Sequence, residues 1–318
     1  MLFEVGHLTR FTYDHPVLLE PLTVRLRPRC DVFQRLISFD LTVEPSPEGM
    51  SQMMDVEGNA LSQVWFLGVS ESLTLRTSCT VETLRNNPFD YIVLDPEGLR
   101  VPMVYPEAER RALARYLEAS GDPAVEAFAA GVLRSAGGGA TAFLGELCLR
   151  IASTISQEVR RVGDPLPAGE TLARRTGACR DLAVLYIDAC RSVGIAARFV
   201  TGYEMGEPGS QERELHAWAE VYVNGAGWRG YDPTLGLAVA DRHVAVAAGA
   251  GPPEAAPTSG TFRGSGVASN LETVVNIHVP TYGPSSGETS IRSTSRKPLA
   301  RVVGFASPAG TSTPGPER

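Results

Sequence analysis

The chain has 318 residues, 43% hydrophobic and 20% charged, enough to bury substantial apolar surface and long enough for two domains. Its formal net charge of -7 gives no overall basic field for nucleic acid or an anionic membrane. No apolar run approaches the length of a bilayer span, and the opening MLFEVGHLTRFTYDHP lacks a basic start and an apolar h-region, so a soluble cytoplasmic protein is expected.

Residues 1 to 97 read as strands. HLTRFTY, LTVRLRP, LISFDLTVEP, ALSQVWFLGV and ESLTLRTSCTV alternate or carry β-branched residues between turn-like breaks. This predicts an antiparallel, sandwich-like β domain.

Helical spacing follows in PEAERRALARYLEAS, in DPAVEAFAAGVLRSA and from Ala140 to about Val159, with Pro106 and Asp122-Pro123 as helix starts. A further helix is predicted from Ala178 to Val193, stopped by Gly194. Strands are then expected in IAARFVTGY, LHAWAEVYV and WRGYD, with a last one in LETVVNIHV. Residues 98 to 280 would form an α+β core, and 281 to 318, rich in Ser, Thr, Gly and Pro, a disordered tail.

Three segments carry candidate chemistry. In RTGACRDLAVLYIDACRSVG, Cys179 opens an otherwise apolar helix, where the macrodipole and unpaired N–H groups stabilise a thiolate and face a developing oxyanion. A lone cysteine is more often a small core residue, and Cys190, about three turns on along the apolar stripe, reads as core. In LHAWAEVYV the alternation sets His216, Trp218, Glu220 and Tyr222 on one face, so His216 can serve as base and then acid. In GWRGYDPT, Asp232 ends a strand folded back beside His216, where a carboxylate would orient the imidazole. A turn aspartate ahead of Pro233 is an equal reading, and a one-residue slip of the hairpin would turn Asp232 away.

Other residues rank lower. Trp218 and Tyr203 could wall a substrate groove. Asp181, in the first turn, reads as a helix stabiliser or a partner of Arg180 or Arg198. His243 and His278 have no partner the sequence identifies. The five cysteines, Cys30, Cys79, Cys148, Cys179 and Cys190, are too scattered for a disulfide framework. With no CxxC, HxxxH or CxxH and no acidic loop cluster, neither a metal site nor a cofactor is indicated.

Together, TGACRDLAVLYIDACRSVGIAARFVTGY, LHAWAEVYVNGAGW and GYDPTLG resemble the core of bacterial transglutaminase-like proteins, in the order Cys, His, Asp. HLTRFTYDHPV with LTVRLRPR resembles the β domain that precedes this core in bacteria, and DRHVAVAAGAGPPEAAPTSGTFRGS resembles its continuation. The resemblance implies a papain-like α+β core with Cys179 as nucleophile, His216 as base and Asp232 as orienting acid. It implies cofactor-independent acyl transfer on a peptide or protein substrate. Hydrolysis of a peptide-like amide is favoured over transfer to an amine, and a non-catalytic peptide-binding module and a redox or metal-binding thiol protein are the rivals. An upstream tryptophan that helps some relatives bind the oxyanion has no counterpart: Trp65 lies in the β domain, and Gln157, a possible substitute, reads as a surface helix residue.

Overall fold

The alternation read in HLTRFTY extends in both directions into an 18-residue strand, β1 (Leu2–Leu19). Phe3, Val5, His7 and Thr9 turn inward along it, as a period of two requires. β2 (Leu22–Val24), β3 (Gln34–Glu44), β4 (Gly49–Met54), β5 (Ala60–Trp65) and β6 (Val69–Thr83) follow. β3, β6 and β1 form one antiparallel sheet, and β2, β5 and β4 another. Their facing sides meet across Val17, Leu22, Val24, Val43, Val64, Leu73 and Leu75, the sandwich-like arrangement expected. The alternation rule missed β4 because both of its faces are largely solvated.

The computed structural model describes residues 1–93, 96–206 and 214–280. The predicted tail, 281 to 318, lies outside the described residues. Residues 1–280 form one compact unit.

The helices are α1 (Glu107–Ala112), α2 (Pro123–Ser135), α3 (Ala140–Thr154), α4 (Ala168–Arg174) and α5 (Cys179–Ser192). Asp122 caps α2 by accepting the Ala124 N–H at 2.8 Å, with Pro123 in the first turn. α3 stops short of Val159 because Ile155 is extended (φ -116°, ψ 120°). The chain then forms a two-residue strand, β7 (Ser156–Gln157), parallel to β8 (Thr176–Gly177).

The second sheet system is five-stranded and antiparallel, in the order β12 (Leu237–Ala238), β11 (Gly227–Asp232), β10 (His216–Val223), β9 (Ala197–Glu204), β13 (His243–Gly249). α5 packs on it, burying Leu182, Leu185, Tyr186 and Ala189 against Phe199, Ala217, Ala219 and Val221. Each Leu, Phe or Val side chain among these contributes about 1.5–3 kcal/mol on leaving water, so α5 is fixed firmly and its first residue with it.

One expected boundary differs. Residues near 260 to 280, assigned by sequence to the end of the core, return to the first region. β14 (Thr258–Ser259) pairs with β2, and β15 (Phe262–Arg263) and β16 (Ser269–His278) both pair with β1. The physical reason is the unpaired edge of β1, which needs a partner strand; Val275 is buried among Phe3, Val5, Cys79 and Val81.

Candidate active site

Cys179 is the first residue of α5 and is partly exposed. Its position follows from the preceding turn. Asp181 reaches back, its Oδ2 accepting the Ala178 N–H at 2.8 Å, while its Oδ1 takes the Leu166 N–H at 2.7 Å and Arg160 at 2.6 Å. Arg160, not Arg180 or Arg198, is therefore its ion partner; Arg198 pairs with Glu220 instead. Gly177 packs closely here: a Cβ would lie 3.0 Å from the Asp181 Cβ and 3.1 Å from Leu182, so these neighbours would have to shift by a few tenths of an ångström to admit one. The Asp181 and Leu182 N–H groups donate to the Ala178 carbonyl at 2.9 and 3.1 Å, so the N–H groups that open α5 without an intrahelical acceptor are those ahead of them, at Cys179 and Arg180.

His216 begins β10, and the register of the hairpin decides what it meets. Val223 pairs with Gly227, Val221 with Arg229 and Ala219 with Tyr231. That register keeps Asp232 on the same face as His216 and Trp218, so the slip that would have turned it away does not occur. Gly225 (φ +77°) and Gly227 (φ +74°) allow the tight turn that sets this pairing. His216 Nε2 lies 2.7 Å from Asp232 Oδ2. Nδ1 is the ring nitrogen that Asp232 does not hold, and Cys179 contributes to the shift of the imidazole.

The charges reinforce one another. Burial pulls the His216 imidazole toward the neutral form, but the Asp232 charge and hydrogen bond, with a further contribution from Cys179, outweigh it and raise its pKa to about 10. Burial would likewise raise the Asp232 carboxyl. The His216 charge and the hydrogen bonds from His216 and His243 instead hold it well below the usual carboxylate range. Asp232 Oδ1 also accepts the N–H groups of Thr234 (2.9 Å) and Leu235 (3.3 Å), and the Asp232 carbonyl receives the Cys148 thiol at 3.1 Å.

Sequence reasoning missed one participant. His243, for which it found no partner, points Nε2 at the same Asp232 Oδ2, 2.9 Å away. It begins β13, which the strand order places two strands from β10, and no spacing in the sequence announces that meeting. His216, Asp232 and His243 bring their donor atoms within 4.8 Å of one another, a set able to hold a metal ion. The 2.7 and 2.9 Å separations are those of hydrogen bonds, and an intervening ion would have to spread them.

Two expected groove residues are placed elsewhere. Trp218 is 1% exposed and Tyr203 fully buried, so neither lines a groove. Trp218 is enclosed with Val200 and Ala248. The Tyr203 hydroxyl meets His7 Nδ1 at 3.0 Å, among Phe3, Val5 and Val81 of the first region. Alternation gives the face of Trp218 but not what covers it, and it assigns no face to Tyr203. Gln157 lies in β7, level with Gly177 and exposed, rather than on a helix.

Comparison with known proteins agrees with this architecture. Residues 3–82 match the bacterial transglutaminase-like N-terminal region, and residues 128–233 match the transglutaminase-like superfamily. An uncharacterized protein of Mycobacterium bovis is 26% identical over 299 residues, covering 88% of this chain and 93% of that protein. One of Mycobacterium leprae is 32% identical over 115 residues, 34% of this chain and 39% of that protein. A crystal structure of a candidate cysteine protease from Cytophaga hutchinsonii has a TM-score of 0.66 and 20% identity, covering 89% of this chain and 93% of that one, a likeness of fold. The two matches fall in this order along the chain: residues 128–233 carry a transglutaminase-like core, and the bacterial transglutaminase-like N-terminal region precedes it.

Proposed function

We propose that the protein is a cysteine-dependent acyl-transfer enzyme acting on peptide or side-chain amides, with hydrolysis as its main outcome. The observation that supports this most is a buried carboxylate 2.7 Å from the His216 imidazole, with a partly exposed thiol at the start of α5 adding to the shift of that same ring. A binding module has no use for all three.

In this reading the Cys179 thiolate attacks the amide carbonyl carbon. A C–S bond forms and the carbonyl π pair moves onto oxygen, facing the N–H groups that open α5. When the intermediate collapses the C–N bond breaks, the amine leaves with a proton from the His216 imidazolium, and a thioester remains. Water, deprotonated by His216, then attacks the thioester and releases a carboxylic acid and the thiol. A primary amine in place of water would give a new amide, the transglutaminase outcome. Asp232 keeps the ring in place and stabilises its cation. The five free cysteines, Cys30, Cys79, Cys148, Cys179 and Cys190, suit a reducing, cytoplasmic setting.

The test is labelling of the full chain with an electrophilic peptide probe, mapped by mass spectrometry, followed by a glutamine- and asparagine-containing peptide library with and without a primary amine. Label on Cys179, absent in Cys179→Ala, with acid products dominating even when amine is present, is the expected result. Equal labelling of the alanine variant would remove the nucleophile. Dominant amine adducts would replace hydrolysis by transfer.

A further inference from the structure

Asp232 serves two imidazoles. Its Oδ2 accepts from His216 Nε2 at 2.7 Å and from His243 Nε2 at 2.9 Å, while Oδ1 is held by two backbone N–H groups. The His243 side chain is fully buried, and its other nitrogen, Nδ1, has no hydrogen-bond partner among the described residues. A buried polar atom left unpaired costs stability, and an apolar side chain would fill that space with no such penalty. What the imidazole adds is a donor aimed at the carboxylate that orients His216. Trp218 closes over it edge-on, ring centroids 5.1 Å apart.

The strand that carries His243 is itself held from the first region. β13 is an edge strand of its sheet, and along its outer side two side-chain amides take the place of a neighbouring strand. Gln34 donates to the Ala245 carbonyl and accepts the Ala245 N–H, both at 2.8 Å. Asn59 donates to the Ala248 carbonyl at 2.6 Å and accepts the Ala248 N–H at 2.9 Å. Thr83 adds a bond to the Asp241 carbonyl at 2.8 Å. Gln34 and Asn59 are themselves buried.

We infer that His243 is a positioning residue that fixes Asp232 behind His216, and that the N-terminal region holds it in place through Gln34 and Asn59. This rests on the acyl-transfer reading above. It makes the N-terminal region part of the support of the reacting groups, not an appendage for substrate alone. The titratable or charged groups around His243 are Asp232 at the end of β11, His216 on β10, and Glu204, paired with it across β9 and joined to Arg242.

The test compares the full-length wild type with His243→Leu, His243→Asn and His243→Gln. The readout is the rate of Cys179 alkylation by iodoacetamide, resolved by peptide mass spectrometry from about pH 5 to pH 9, on protein shown to be folded by its thermal melt. Gln can place an amide donor near the Nε2 position; Leu offers none, and Asn is too short. Leu and Asn should lower the rate near pH 6 about tenfold and move the acid limb up by about one pH unit, the scale of one hydrogen bond to a charged group. Gln should stay within about threefold of wild type, and Gln34→Ala should move the limb the same way by less. A wild-type profile in folded Leu or Asn protein, or a Gln variant as impaired as Leu, would overturn the inference. If Leu does not fold, Asn carries the comparison. Should wild-type Cys179 react near pH 6 no faster than free cysteine, the acyl-transfer reading fails first, and the two failures are thereby told apart.

Discussion

The two ends of α5 present the same atom in opposite circumstances. Cys179, at the start, is partly exposed, sits at the helix end whose dipole favours an anion, and adds to the raised pKa of His216. Cys190, near the end, is fully buried, and burial raises its thiol pKa well above the usual value, with Cys148 adding to the shift. The helix is one element with one apolar stripe. What separates a candidate nucleophile from a core residue is therefore position relative to the helix end and the neighbouring sheet, not residue type.

That contrast can be broken in order of effect. Cys179→Ala should abolish probe labelling and reduce acyl transfer by at least about 10³-fold, whereas Cys190→Ala should leave the labelling rate unchanged; loss of labelling in the Cys190 variant alone would invert the assignment. Asp232→Asn should lower kcat by about 10³- to 10⁴-fold, because an amide can neither stabilise the imidazolium nor fix the tautomer, as steady-state kinetics would show. Gly202→Ala attacks the frame: its Cβ would sit 2.1 Å from the Val244 carbonyl oxygen and 2.6 Å from the Trp218 ring. It should cost about 1–3 kcal/mol in denaturant unfolding.

A further effect is on stability against pH. The folded-state pKa of His216 is raised from its ordinary 6.5 to about 10, so its pairing with Asp232 stabilises the fold in full below pH 6.5 and is lost as pH climbs toward 10. Wild type should lose melting temperature over that alkaline window more steeply than Asp232→Asn, which has already lost the pairing. Parallel curves would contradict the assigned coupling.

Much of the site was legible because three local rules each point at one residue. A helix start exposes Cys179, period-two alternation gives His216 its face, and a glycine turn returns Asp232 to it. The rest depended on long-range contact. His243 meets Asp232 through strand order, and β16 leaves the core because β1 has an open edge. Trp218 and Tyr203 were misread because alternation is silent about what covers a face, here neighbouring strands for one and the N-terminal sheet for the other. α4 is seven residues long, too short for helical periodicity to stand out. Gln157 was read as helical because the apolar spacing of α3 continues to Ile155, where the backbone turns extended.

The most direct measurement is rapid acid quench of the full chain reacting with an activated ester such as p-nitrophenyl acetate, followed by intact and peptide mass spectrometry. The account predicts a burst of p-nitrophenol matching the enzyme concentration, with the acyl group in thioester linkage on Cys179 and no burst from Cys179→Ala. An acyl group on another residue, or a full burst from the alanine variant, would contradict it.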